Sequence, residues 1–271
     1  MIKPLLCVFS LLILHQAMAE QAAPSDPVPS PQAPTTDQAA AEPPSSPLDL
    51  PDHYVGDLGL GAYKIDRNFA DKKSVLVWKP YIYGDYGRFF GRLDTFGVKT
   101  VQLGDGYLEF STRVNYDGRN ATHGLERRSD AIPLGIGTYQ ETSYGAFFLN
   151  GFYDAGHSHG SFLEAIYATQ FNVGKAQFYP QFGLIHQSAN YNNYYYGVTT
   201  AESLTSPYSA YNAGASTNRQ LGLSAEYPLA KNWVTNLTMR RTWLGDGISD
   251  SPIIHRNIED QVFLAASYRF K

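Results

Sequence analysis

From residue 54 onward the chain alternates apolar and polar positions with a period of two. In 221–227 the odd positions are Leu221, Leu223, Ala225 and Tyr227, and the even ones are Gly222, Ser224 and Glu226. In 107–116, Leu108, Phe110, Thr112, Val114 and Tyr116 interleave with Glu109, Ser111, Arg113 and Asn115. In 176–186, Phe178, Pro180, Phe182 and Leu184 oppose Gln177, Tyr179, Gln181 and Gly183. In 233–243, Trp233, Leu237, Met239 and Trp243 oppose Asn236, Thr238, Arg240 and Thr242. A helix repeats near 3.6, so these segments predict strands with two unlike faces.

A soluble sandwich also alternates, and three features favour a membrane barrel. Strands of about ten residues suffice to cross a bilayer at a tilt. Aromatic residues stand at strand ends (Tyr116, Tyr227, Trp233, Trp243 and Tyr268), as interfacial girdles require. The polar faces carry Glu109, Arg113, Glu164, Glu226 and Arg240, which a dry core tolerates poorly and a lumen accepts. In the last segment Val262, Leu264, Ala266, Tyr268 and Phe270 fall on one face, and this resembles the C-terminal assembly signal of bacterial outer-membrane proteins; Lys271 follows the final Phe.

The expected fold is therefore all-β, a transmembrane antiparallel barrel. Ten strands are predicted, near 54–65, 75–85, 88–103, 106–117, 139–153, 161–171, 176–187, 209–228, 232–244 and 261–270. With the C-terminus in the periplasm, 118–138 becomes a long periplasmic connection; if it hides a hairpin, the count is twelve.

Composition divides the chain further. Residues 1–19 read as a signal peptide: Lys3, an apolar run at 5–14, then Ala17-Met18-Ala19. The single cysteine, Cys7, lies inside it, so the exported part has no disulfide and no thiolate chemistry. Residues 20–52 hold nine of the sixteen prolines, six acids and no aromatic residue, and read as a disordered Pro/Ala-rich linker or arm. Residues 53–271 form the barrel, with 19 acids against 20 Lys and Arg. No excess of positive charge points to nucleic acid. The mean hydropathy of −0.30 excludes a bundle of membrane helices but not a barrel.

The candidate chemistry is thin. Asp154, His157, Ser158 and His159 are the one tight group of catalytic residue types, but two histidines make no metal set, and the group reads as a polar loop. Residues 190–196, with four Tyr and three Asn, read as a sugar-contacting loop or an aromatic girdle. No catalytic, cofactor or metal site is predicted, and the protein is expected not to be an enzyme. The inward charges read as an ion-pair network rather than a pore lining, with Arg240 paired to Glu226 across neighbouring strands.

Four stretches resemble the MipA/OmpV family of outer-membrane proteins. They are Pro80-Tyr81-Ile82-Tyr83 with Tyr86-Gly87-Arg88-Phe89-Phe90; His159-Gly160-Ser161; Tyr194-Tyr195-Tyr196-Gly197-Val198; and 244–254, in which Asp250-Ser251-Pro252 is the most specific step. The resemblance implies a Gram-negative outer-membrane location, surrounded by outer-membrane lipid. It also implies a scaffold role for peptidoglycan enzymes, a murein hydrolase or synthase; narrow channel and surface adhesin are the alternatives. The family has no catalytic residues to carry over. If a periplasmic enzyme is the partner, Arg127 and Arg128 in the 118–138 connection are the candidate contacts, because arginine beside apolar residues suits an interface hot spot.

Overall fold

The computed structural model describes residues 48–66, 69 and 75–271. The expected signal peptide and most of the expected linker lie outside the described residues. Twelve strands close into an antiparallel ring: β1 (Val55–Asp66), β2 (Val75–Tyr86), β3 (Phe89–Arg92), β4 (Thr95–Leu103), β5 (Gly106–Arg113), β6 (Leu134–Thr142), β7 (Gly145–Tyr153), β8 (Ser161–Ala168), β10 (Ala176–Gln187), β11 (Ser216–Pro228), β12 (Trp233–Trp243) and β13 (Ile258–Phe270). A thirteenth strand, β9 (Phe171–Val173), pairs only with the start of β10 and stands outside the ring. The seam closes where β1 pairs with β13, from Gly56↔Phe270 to Asp66↔Asp260. Closure leaves no strand edge with unpaired backbone groups, which lipid would not tolerate.

The ten-strand expectation is corrected here. Segments 88–103 and 139–153 are not single strands but two hairpins each, β3–β4 and β6–β7. Their turns are two residues long, at 93–94 and 143–144, and neither carries an Asn-Gly or Asp-Gly signature. Such a turn interrupts the alternation only by a slip of phase. Phe90 and Arg92 face inward before the first turn; Thr95, Gly97 and Lys99 do so after it.

The added strand changes sides for everything downstream of it. The 118–138 connection now lies at the same end as 154–160, 188–215 and 244–257, opposite the ends of β1 and β13 that meet at Gly56 and Phe270. With that seam end in the periplasm, the connection is extracellular, and the periplasmic reading of it is overturned. Direct contact agrees, because Arg119 in this segment bonds Glu202 at 3.1 Å. The segment does double back, through the bridges Asn115↔Ala131, Arg119↔Arg128 and Thr122↔Leu125, but these bridges stand outside the ring.

The two faces divide as the alternation demands. Leu60, Trp78, Phe110, Leu149, Leu163, Leu221, Met239 and Leu264 are exposed on the outside, where lipid covers them. Tyr227, Trp233 and Phe270 gather at the seam end, and Trp233, Tyr268 and Phe270 stack edge to face at 5.6 and 4.9 Å. Inside, polar and aromatic side chains fill the ring.

One inward contact ties three strands together at the seam. Arg269 on β13 donates to both oxygens of Asp57 on β1, at 2.7 and 2.6 Å, and to Glu226 on β11 at 2.7 Å. Arg269→Ala should lower barrel stability by about 1–3 kcal/mol, because it leaves the buried Asp57 carboxylate without its donor. Thermal unfolding of the detergent-folded protein measures this, and an unchanged midpoint would mean that water already solvates Asp57.

Candidate functional site

The five lumen candidates take their partners from strands that are not their neighbours. Glu109 on β5 receives two bonds of 2.8 Å from Arg92 on β3, reaching over β4. Lys99 on β4 bonds Asp85 on β2 at 3.0 Å, over β3. Arg113 on β5 donates two bonds of 2.9 Å to Glu164 on β8, a chord over β6 and β7. Small residues beneath make the chord possible. Gly135 and Gly137 are the inward residues of β6 opposite Ser111 and Glu109, and a Cβ at Gly135 would strike the Phe152 ring. That ring lies under the Arg113 guanidinium at 4.5 Å, so the cation is held by a carboxylate and an aromatic face at once.

These pairs are nearly dry. Lys99 is 1% exposed and Glu109 3%, and Asp57, Glu164, Gln220, Asn236 and Ser267 are buried at other heights of the lumen. An isolated charge in such a place is very costly, whereas a bidentate guanidinium–carboxylate pair meets most of the hydrogen-bonding demand.

Arg240 departs from the expected pairing. The register sets it opposite Gly222 and Gln261, while Glu226 stands opposite Asn236. Four residues of strand separate the two, roughly 13 Å, beyond the reach of a cross-strand pair. Glu226 is instead taken by Arg269, and the Arg240 Nε has no hydrogen-bond partner.

Above Arg113 the lumen runs into a cap. Phe152 stacks on Phe162 at 4.9 Å, and Phe162 meets Tyr191 edge-on at 5.4 Å. Tyr191 belongs to α1 (Ala189–Tyr196), whose start is capped by the Ser188 hydroxyl. Tyr191, Asn192, Tyr195 and Tyr196 are buried on this helix, so 190–196 is neither a sugar-contacting loop nor a girdle. Tyr191 and Tyr195 lie one turn apart and share a face. The Tyr191 hydroxyl bonds Asp117 at 2.6 Å, and the Asn192 amide bonds the Gly214 carbonyl at 2.8 Å.

Glu202 on α2 (Thr200–Thr205) is the hub that locks the cap. Its carboxylate accepts from Arg119 at 3.1 Å and from Arg128 at 3.1 and 3.2 Å. It also accepts from the Glu126 amide at 2.9 Å, the Thr199 amide at 2.9 Å and the Thr199 hydroxyl at 3.0 Å. Sequence reasoning passed over Glu202, although Thr199 and Glu202 have the spacing of a capping box, which is formed here. Arg128, expected to face a partner, is thus engaged inside the cap, with Arg127 exposed beside it.

Three of the four resemblance stretches meet in this cap. A Cβ at Gly160 would strike the Tyr191 backbone, so His159-Gly160-Ser161 is where α1 rests on β8. Tyr194-Tyr195-Tyr196 ends α1, and Val198 bridges Tyr211. In 244–254, α3 (Asp246–Ser249) and the residues after it bury Ile248, Ser251 and Ile253, and the Ser251 hydroxyl bonds the Tyr196 carbonyl. Asp250 caps the C-terminal end of α3, with Pro252 two residues on.

The Asp154 group is a turn. Its carboxylate accepts from the amides of Gly156 at 3.0 Å, His157 at 3.2 Å and Ser158 at 2.8 Å, and from the Ser158 hydroxyl at 2.7 Å. Burial opposes its ionisation, but these donors outweigh burial and hold the carboxyl below its usual range. The His157 ring stacks on Tyr194 at 6.1 Å and does not approach the carboxylate. Among the described residues no group of three His, Cys, Asp or Glu could hold a metal ion.

Comparison with known proteins adds to this geometry. The chain matches the family model described as MltA-interacting protein MipA over residues 58–270. It is 28% identical over 185 residues to outer membrane protein Omp26La of Vibrio anguillarum, covering 68% of this chain and 70% of that protein. The same figures hold for outer membrane protein OmpV of Vibrio cholerae. The MltA-interacting protein of Escherichia coli is 29% identical over 147 residues, 54% of this chain and 59% of that one. Among solved structures, the outer membrane channel DcaP of Acinetobacter baumannii aligns over 80% of this chain and 96% of that one, at 10% identity and a TM-score of 0.35, too low to carry an argument.

Acid should open the cap. Burial alone would raise the Glu202 pKa, but the Thr199 and Glu126 amides and the Arg128 charge outweigh it, so the folded value is depressed. A depressed carboxyl contributes stability that is complete above its unfolded pKa, near 4.3, and is lost as pH falls through the folded value. Hydrogen exchange in 114–133 and 188–215 should therefore speed up below about pH 4 while the strands stay protected. Glu202→Gln should show fast exchange there already at neutral pH; protection equal to the wild type would remove Glu202 from its central place.

Proposed function

The chain belongs to the MltA-interacting protein MipA family and is an outer-membrane β-barrel, and from that premise we propose that it acts as a non-enzymatic scaffold for a peptidoglycan-remodelling enzyme. The observation that carries the reading is the filled lumen. A conducting channel needs inward side chains that water can reach, and here the inward charges are mutually paired and almost inaccessible. What the molecule offers a partner is its two ends.

A murein enzyme works in the periplasm and reaches the seam end alone. There the turns at 87–88, 104–105, 143–144, 174–175 and 229–232 present Tyr144, 81% exposed, and Leu229, 60% exposed. Residues 48–53 cross the same end. The Leu48 carbonyl accepts from the Tyr107 hydroxyl at 3.1 Å, and the Pro51 carbonyl accepts from the Gly87 amide at 2.7 Å. The proline-rich arm thus joins the barrel beside these turns, and arm and turns make one surface. Apolar and tyrosine side chains ringed by Arg88, Lys175 and Lys231 suit a protein interface of moderate size. The name of the Escherichia coli relative, MltA-interacting protein, points to the same class of partner.

Site-specific photo-crosslinking in cells tests this reading. A crosslinker in place of Tyr144 or Leu229 should capture a murein hydrolase or synthase. One in place of Leu204, exposed at the capped end, should capture neither. Capture from Leu204, or from none of the three positions, would contradict the scaffold reading.

A further inference from the structure

We propose that the outward flank of β12 and β13, at the capped end, binds the phosphorylated headgroup of an outer-leaflet glycolipid. The groove there has a volume of about 560 Å³ and is lined by Arg241, His255, Arg256, Asn257, Ile258 and Asp260. It stands at a defined height. Met239 and Val262 face each other on the lipid side, and Arg241 and Asp260 are the next outward rung toward the cap. The groove therefore lies where the apolar band gives way to headgroups.

The charge balance is what sets this place apart. In the lumen, each guanidinium of the Arg92, Arg113 and Arg269 clusters has at least one carboxylate of its own. On the flank, two guanidiniums share one carboxylate. Arg241 bonds Asp260 at 2.7 and 3.0 Å, and Arg256 lies 3.9 Å from the same group. Arg241 remains 52% exposed and Arg256 56%. Arg219 on β11 faces outward beside Trp243, one rung closer to the cap than Leu221, the neighbour of Arg241. A third guanidinium thus joins the same flank. His255 and the Asn257 amide add neutral donors.

Two or three guanidinium groups at the edge of an apolar wall match a lipid-borne phosphate. The planar forks accept phosphate oxygens in pairs, while the acyl chains lie along Met239, Val262 and Leu264. Asp260 keeps the arginines extended in the absence of lipid and competes weakly with the phosphate. Nothing in this inference rests on the scaffold reading.

Binding of diphosphoryl lipid A to the folded protein in detergent, measured by native mass spectrometry, tests the proposal. Lipid A stripped of its phosphates and inorganic phosphate are the other two probes. Diphosphoryl lipid A should bind, and the stripped lipid should bind about tenfold more weakly or worse. Millimolar inorganic phosphate should leave lipid binding unchanged. Arg241→Gln with Arg256→Gln should weaken lipid binding to the level of the stripped lipid. Asp260→Asn, which removes the internal competitor without removing a donor, should tighten it. Equal binding of the two lipids, displacement by inorganic phosphate, or weaker binding by Asp260→Asn would each overturn the assignment to a lipid phosphate.

Discussion

A guanidinium at mid-height inside a closed twelve-strand ring cannot reach the headgroups, and it must be met by a carboxylate from the same wall. That demand organises the interior. Neighbouring strands place inward residues side by side, so partners that skip a strand need the intervening position to be small or to stand aside. Gly135 and Gly137 do this beneath the Arg113–Glu164 chord, and Gly97 is the inward residue of β4 next to Lys99. Arg269 serves the same purpose at the seam, where it joins β1, β13 and β11. The barrel wall supplies backbone hydrogen bonds; these charged chords decide which side chains occupy the space it encloses.

The cap continues the same logic beyond the membrane. An aromatic column rises from Phe152 through Phe162 to Tyr191, and its top is closed by α1, α2, α3 and the 115–131 hairpin. These pieces come from four different connections and would not hold by apolar contact alone. Glu202 joins two of them to each other by accepting from Arg119, Arg128 and the Glu126 amide. A molecule closed in this way presents its chemistry outward: to the periplasm at the turns, and to lipid along the flank.

Much of the fold was legible in the sequence. Alternation in 107–116, 176–186 and 233–243 placed strands correctly, and the inward face of β12 is the one that Asn236, Arg240 and Thr242 mark. The count was not legible, because two-residue turns such as Leu93-Asp94 conserve the alternating texture and betray themselves only by a slip of phase. The sidedness of 118–138 failed with it, since one missed turn exchanges inside for outside. Pairing was illegible for a different reason. Arg240 with Glu226 was a reasonable guess for adjacent strands, but Glu226 meets Arg269 from two strands away, and only the register reveals it. The cap was hidden in segments that read as polar loops. The Ser188 cap before Tyr191 and Tyr195, and Thr199 three residues before Glu202, were the local signals of its helices.

The central claim is that the lumen is closed by its own charges. Conductance of the purified, folded protein in planar lipid bilayers tests it most directly. The account predicts no resolved single-channel steps at neutral pH for the wild type, and steps only when a chord is cut, as in Arg113→Ser with Glu164→Ser. Regular ohmic steps from the wild type would contradict it and return the protein to the class of narrow channels.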